Sequence, residues 1–283
     1  MAVGFVTGRA LREGRMKAAP FSLVYFCTQP QRIAEAVAAG IDTIMVDCER
    51  LGKYVRQAGA DTQINSDTVE DLRRVRGYTR ANLACRINRY HTFTHMEVED
   101  AIEGGADEIF LPMVRNPREV EQVLQHVAGR CRLSILVETR DAVDCAPQLA
   151  RLPVARVYLG LNDLAIDRGA TGIFEAVADG TVEQVRREFD VPFGFGGLTL
   201  PELGAPIPCR LLIAEMARLD CSFSFLRRSF TRDTLGLSLS PLVPRIRASL
   251  RHASLRASQA VECDREEFLR SAACWPQPDG AIA

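Results

Sequence analysis

Apolar runs of five to seven residues recur along this chain, and an amphipathic stretch of helical period follows each one. The runs fall at 22–28, 43–47, 82–87, 108–112, 133–138, 156–160, 192–197 and 222–227. Continuous apolar runs of strand length suit strands buried on both faces. The stretches at 30–39, 68–79, 95–104, 117–127, 141–151, 173–188 and 207–219 fit as the connecting helices, and 231–251 follows the eighth run. Pro30 and Pro117 open two of them, where a missing N–H costs nothing, and Gly40 and Gly104-Gly105 close two. Eight such units in roughly 230 residues predict an α/β chain folded as a (β/α)8 barrel. An open doubly wound sheet is the alternative. The chain lacks a Gly-x-Gly-x-x-Gly after an early strand, which weakens a dinucleotide-binding version of it.

Within that frame, 21–252 is expected to form the catalytic domain. Residues 1–20 read as a lead-in, and 253–283 as a tail that is partly flexible or clasps a neighbouring subunit. The polar stretch 53–67 reads as a long loop after the second strand. Lys+Arg (35) nearly balances Asp+Glu (36), so no net field favours nucleic acid or an anionic membrane. No run approaches the roughly 18 apolar residues of a membrane span, and the first twenty residues lack the apolar core of a signal peptide. Nine scattered cysteines, without a Cys-x-x-Cys, fit a reduced cytoplasm.

Chemistry is expected where strands end. Glu138 closes the fifth run and Asp163 follows the sixth. On a parallel barrel both carboxylates come to the carboxyl edge, where active sites collect. Adjacent carboxylates repel, so they share a proton or a divalent cation, and an all-oxygen pair selects Mg²⁺ or Mn²⁺ over zinc. The plainer alternative is that both are helix N-caps. Arg86 ends the third run and suits an anion clamp, or else a salt bridge to Asp47 or Glu49 that only holds the barrel together. Asp47 and Glu49 are expected to face different sides of the second strand, one on Arg86 and the other toward the metal. Backbone N–H groups freed at Leu161, Asn162 and Asp163 offer a seat for a carboxylate. His91 and His95 read as a solvated helix start. Arg227-Arg228 reads as a surface charge pair, with a substrate anion as the alternative. No lysine ends a strand, which removes a Schiff base and favours a metal for carbonyl chemistry.

Five stretches, in family order, resemble the HpcH/HpaI aldolases and the citrate lyase β-subunit family, with the malyl-CoA and citramalyl-CoA lyases. They are Gly40-Ile-Asp-Thr-Ile-Met-Val-Asp47-Cys-Glu49, Cys85-Arg86-Ile-Asn, Gly105-Ala-Asp-Glu-Ile-Phe-Leu-Pro-Met-Val114, Val137-Glu138-Thr-Arg-Asp-Ala-Val143 and Tyr158-Leu-Gly-Leu-Asn-Asp163-Leu. The resemblance implies a TIM barrel of the phosphoenolpyruvate/pyruvate type and a metal-dependent carbon–carbon lyase. Glu138 and Asp163 would ligate Mg²⁺ (or Mn²⁺ or Co²⁺), and Arg86 would steady an enolate. The backbone at Leu161, Asn162 and Asp163 would seat the carboxylate of a pyruvate- or oxaloacetate-like 2-oxo acid. Asp47 and Glu49 would orient Arg86 or a metal-bound water. The co-substrate would be an aldehyde or an acyl thioester, and the assembly a homo-oligomer, trimeric or hexameric. Small-aldehyde aldolases of this type place a histidine base where this chain has Arg50. The acyl-CoA branch has Asp-Leu-Glu-Asp where this chain has Asp47-Cys-Glu49-Arg50. An acyl-CoA lyase or thioesterase, or a non-catalytic anion-binding barrel, therefore stands as the alternative.

Overall fold

The computed structural model describes residues 20–51 and 67–273. The lead-in up to residue 19, nearly all of the predicted loop at 53–67 and the end of the tail lie outside the described residues. Among the described residues there are nine strands: β1 Ser22–Phe26, β2 Thr43–Asp47, β3 Asn82–Arg86, β4 Glu108–Leu111, β5 Arg132–Val137, β6 Val157–Leu159, β7 Phe193–Phe195, β8 Gly197–Leu198 and β9 Phe223–Leu226. Every pairing is parallel, in the order β7-β6-β5-β4-β3-β2-β1-β9-β8.

The two ends of that order are one bent strand. Only Gly196, at φ +60°, separates β7 from β8. Upstream of it the strand pairs with β6, and downstream it pairs with β9. One stave thus divides its hydrogen bonds between two neighbours and closes the ring. Glycine meets the left-handed angle without steric cost. The bend takes the Gly196 carbonyl out of the ladder, and Tyr158 Oη (2.7 Å) and Ser224 Oγ (2.6 Å) donate to it. All eight predicted staves are therefore present, the seventh in two pieces.

The helices are α1 Pro30–Ala38, α2 Val69–Tyr78, α3 Thr94–Glu103, α4 Pro117–Val127, α5 Arg140–Asp144, α6 Ala146–Leu149, α7 Leu161–Arg168, α8 Glu175–Ala178, α9 Thr181–Glu188, α10 Cys209–Arg218, α11 Arg228–Asp233, α12 Leu242–Ser254 and α13 Ser258–Ala273. Side-chain caps at Thr68, Asn116 and Thr139 satisfy first-turn N–H groups of α2, α4 and α5. The helix expected at 141–151 is broken at Cys145, because Pro147 cannot donate and its ring crowds the carbonyl of Val143. After Gly160, where the chain is expected to turn from strand into loop or helix, residues 161–168 form the helix α7. Part of the segment read as a tail forms α13, which lies on α10 through Arg265–Glu215 (2.7 Å) and the fully buried Phe268.

Strand alternation explains what faces the lumen. Leu23 and Tyr25, Ile44 and Val46, Leu83 and Cys85, Leu133, Ile135 and Val137 join the outer core against the helices. Val24, Phe26, Met45, Ala84, Phe110, Leu136, Tyr158, Phe223 and Phe225 fill the barrel. Tyr158 stacks on Phe225 with ring centroids 3.7 Å apart. Period two then places the next inward residue of β2, β3 and β5 at the carboxyl end: Asp47, Arg86 and Glu138. The opposite end also carries charge. Glu108, fully buried at the start of β4, accepts from Ser134 Oγ (2.5 Å) and pairs with Arg156 (3.2 Å) and Arg132 (3.4 Å).

Candidate active site at the barrel mouth

Glu138 lies one residue past β5, 2% exposed, and accepts the Met113 N–H at 2.9 Å. Met113 holds a left-handed φ of +54°, a strained angle for a non-glycine residue. The other oxygen of Glu138 lies against Gly160, where any Cβ would collide with it. Gly160 caps α7, and Asp163 sits in the first turn of that helix, 7% exposed. Strand six therefore ends in a residue without a side chain so that the acid of strand five can lie across it. Burial pushes Glu138 up to about 8, and the Asp163 and Glu49 carboxylates push in the same direction.

Facing this acidic half is a cationic one. Arg86, 3% exposed, donates Nε to Asp47 Oδ1 (2.8 Å) and Nη2 to Asp47 Oδ2 (2.7 Å). Its Nη2 also lies 3.4 Å from Glu49 Oε2. The expectation that Asp47 and Glu49 face different sides is thus corrected. Both turn to Arg86, as residues two apart on an extended strand share a face. Burial lowers the proton affinity of Arg86, but Asp47 and Glu49 outweigh it and hold the guanidinium charged.

Arg227, directly after β9, is not a surface residue. Its Nη2 lies 3.2 Å from Asp47 Oδ2, and its guanidinium lies 4.9 Å from the centroid of Phe26. Arg86 lies 5.4 Å from the same ring. Closure of the barrel brings β9 beside β1, which the linear sequence does not display. Arg50 turns the other way and donates Nη2 to the Asp67 carbonyl (3.1 Å). A cavity of about 290 Å³ opens there, behind β2 and β3, lined by Cys48, Arg50, Asp67, Cys85, Asn88 and Glu97, and neither Glu138 nor Asp163 borders it. His91 is held by Glu97 (2.9 Å), which also receives Asn88, so it belongs to the loop scaffold.

The structure thus gathers Asp47, Glu49, Arg86, Glu138 and Asp163 at one end of the lumen, with Leu161 and Asn162 at the head of α7. The first N–H groups of that helix have no partner within it, so they can receive an anion. Among the described residues no group of three or more His, Cys, Asp or Glu is arranged as a metal cage. Two oxygen-donor side chains still fit a hard divalent cation that takes its other ligands from substrate and water. The mutual repulsion seen at Glu138 is what such a cation relieves.

The family model HpcH/HpaI aldolase/citrate lyase matches residues 22–178 of the sequence. An HpcH/HpaI aldolase from Desulfitobacterium hafniense DCB-2 superposes with a TM-score of 0.58 at 14% identity, over 77% of this chain and 90% of that one. A citrate lyase from Burkholderia xenovorans LB400 gives 0.57 at 12% identity, over 89% and 82%. The citrate synthase SbnG gives 0.56 at 16% identity, over 78% and 93%. No curated protein matches. At these identities the superpositions speak for the fold.

Proposed function

Because this chain belongs to the HpcH/HpaI aldolase/citrate lyase family, we propose that it makes or breaks a carbon–carbon bond to C3 of a pyruvate-like 2-oxo acid through an enolate. The observation that carries the reading is a buried carboxylate pair, Glu138 and Asp163, facing a buried guanidinium fixed by two further acids. Glu138 and Asp163 would hold a divalent cation, Mg²⁺ first, with Mn²⁺ or Co²⁺ as substitutes. When bound, it supplies Lewis-acid stabilisation of charge at the 2-oxygen.

The chain's own groups divide the remaining work. Asp47 and Glu49 occupy Nε and Nη2 of Arg86 and set its plane, so little reorganisation accompanies the reaction. Nη1 makes no hydrogen bond to a described residue, and it donates to the 2-oxygen as negative charge gathers there. Such preorganised donors are worth more in a dry site than in water. The N–H groups of Leu161, Asn162 and Asp163 receive the substrate carboxylate, favoured by the positive end of α7. Glu49 exchanges the proton at the oxygen of the aldehyde or acyl acceptor. One observation keeps an acyl-thioester acceptor in view: Arg50, at the position where small-aldehyde aldolases carry their histidine, points out of the mouth.

The test is solvent-deuterium exchange into the pyruvate methyl group, followed by NMR with and without Mg²⁺. Exchange is expected to need the metal and to disappear in Glu138→Ala and Asp163→Ala. Undiminished exchange in those variants overturns the assignment of Glu138 and Asp163 as metal ligands. Calorimetry with Mg²⁺ and oxalate separates an enzyme from a pure anion binder, which releases heat without exchange.

A further inference from the structure

Three non-glycine residues among those described hold a left-handed backbone: Met113, Ala128 and Asp220. Two of them end helices, where that angle is ordinary. Ala128 caps α4, and Asp220 follows the cap of α10. Met113 ends no helix. It stands two residues past β4, at φ +54°, where a side chain crowds the backbone. Packing does not account for the angle. The Met113 side chain is buried, but it joins neither the outer core nor the cluster that fills the lumen. What the angle does achieve is a contact of the backbone: the Met113 N–H donates to Glu138 Oε1.

A second bond ties the same two segments in the opposite sense. Thr139, fully buried, donates Oγ1 to the Val114 carbonyl at 2.7 Å. Residue 113 thus gives to 138, and residue 139 gives to 114. The last torsion of a glutamate is broad, so a bond to one oxygen decides where the other lies. With Oε1 tied to Met113, Oε2 rests over Gly160. There α7 begins, and Asp163 follows in its first turn.

We infer that Met113 is a positioning residue, whose backbone, kept left-handed by the Thr139–Val114 bond, fixes the Glu138 carboxylate so that Oε2 is the oxygen offered on the Asp163 side. The inference rests on the proposed cation for its consequence, but the orientation itself can be read without metal.

The probe is Mn²⁺ alone, titrated by calorimetry, with circular dichroism to check the fold. Two variants set angle against bulk. Met113→Gly loses the side chain but adopts the angle freely, and should keep Mn²⁺ affinity within about threefold. Met113→Val keeps more bulk but resists the angle, and should weaken affinity about 10- to 100-fold, as loss of an orienting partner does. A packing role ranks the two variants the other way. That ranking overturns the inference, and so does equal affinity of the pair. A second pair leaves residue 113 untouched. Thr139→Val keeps the shape without the hydroxyl and should weaken Mn²⁺ binding about tenfold or more, whereas Thr139→Ser should stay within about threefold. Failure of serine to preserve affinity counts against the inference.

Methionine-selective ¹⁵N labelling reads the bond in the metal-free protein. The Met113 amide, identified by its absence from Met113→Gly, should exchange with solvent about tenfold or more faster in Glu138→Ala than in wild type. An unchanged rate overturns the inference. If the wild type binds no Mn²⁺ while this amide still responds to Glu138, the cation reading fails and the positioning of Glu138 stands.

Discussion

Among the described residues, one buried carboxylate at the floor of the barrel, Glu108, meets two guanidiniums, Arg132 and Arg156, whereas at the mouth four buried carboxylates meet two. The floor is closed upon itself. Ser134 and Asn82 complete Glu108, Thr43 accepts from Asn82, and Arg156 lies over Phe223. Among the described residues the mouth carries more acid than base. Asp47 and Glu49 are committed to Arg86, so Glu138 and Asp163 face each other across the glycine of strand six. A satisfied buried network holds staves in register, while an overloaded one is completed by a ligand cation. The same acid and arginine chemistry serves shape at one end and, in the proposed function, catalysis at the other.

Substitutions at the two ends should separate these roles. Glu138→Ala or Asp163→Ala should lower Mg²⁺-dependent exchange by about a thousandfold or more, with the fold retained by circular dichroism. Arg86→Lys should cost about a hundredfold in kcat, since a point charge cannot reproduce the fork fixed by Asp47. Gly160→Ala displaces Glu138 and should weaken metal affinity about 10- to 100-fold, measured by calorimetry. Glu108→Gln should reverse the pattern. Removing the shared partner of two arginines should cost about 3 kcal/mol of stability in urea unfolding, and leave kcat/KM within about twofold. Large loss of activity there, or large loss of stability in Glu138→Gln, would erase the distinction.

The smallest effect concerns pH. Folding raises Glu138 to about 8, from about 4.3 in an unfolded chain. A proton held more tightly in the folded state adds stability that is complete below the unfolded value and is lost as pH rises through the folded one. The metal-free protein should therefore melt at lower temperature as pH goes from about 5 to about 8, losing at most about 1.4 kcal/mol per pH unit. Glu138→Gln should flatten that slope, and saturating Mg²⁺ should displace the proton and oppose it. A slope that persists in the variant would place its source elsewhere.

Much of the barrel was legible because periodicity records burial. Continuous apolar runs marked every stave, and the ends of those runs put Arg86 and Glu138 at the carboxyl edge. What depends on closure was not legible. Arg227 reads as half of an exposed charge pair until β9 lies beside β1, and Glu108 reads as an ordinary strand start until Arg132 and Arg156 converge on it. The helix α13 escaped notice for another reason: of its sixteen residues only Phe268 is buried, and ion pairs such as Arg265–Glu215 do much of the docking. Ion pairs between distant segments leave no period to read. Asp163 was placed correctly at the carboxyl edge, but its seat inside α7 followed only from strand six stopping at Gly160.

The bent stave at Gly196 has a consequence for how this protein lives in concentrated solution. A residue with a side chain there would resist the left-handed angle, and the cheapest relief would be to straighten the strand. A straightened strand could keep one neighbour and not both, and the ring would part into an open sheet with two bare edges. Such edges seek other chains. The glycine therefore protects against aggregation as much as it sets geometry.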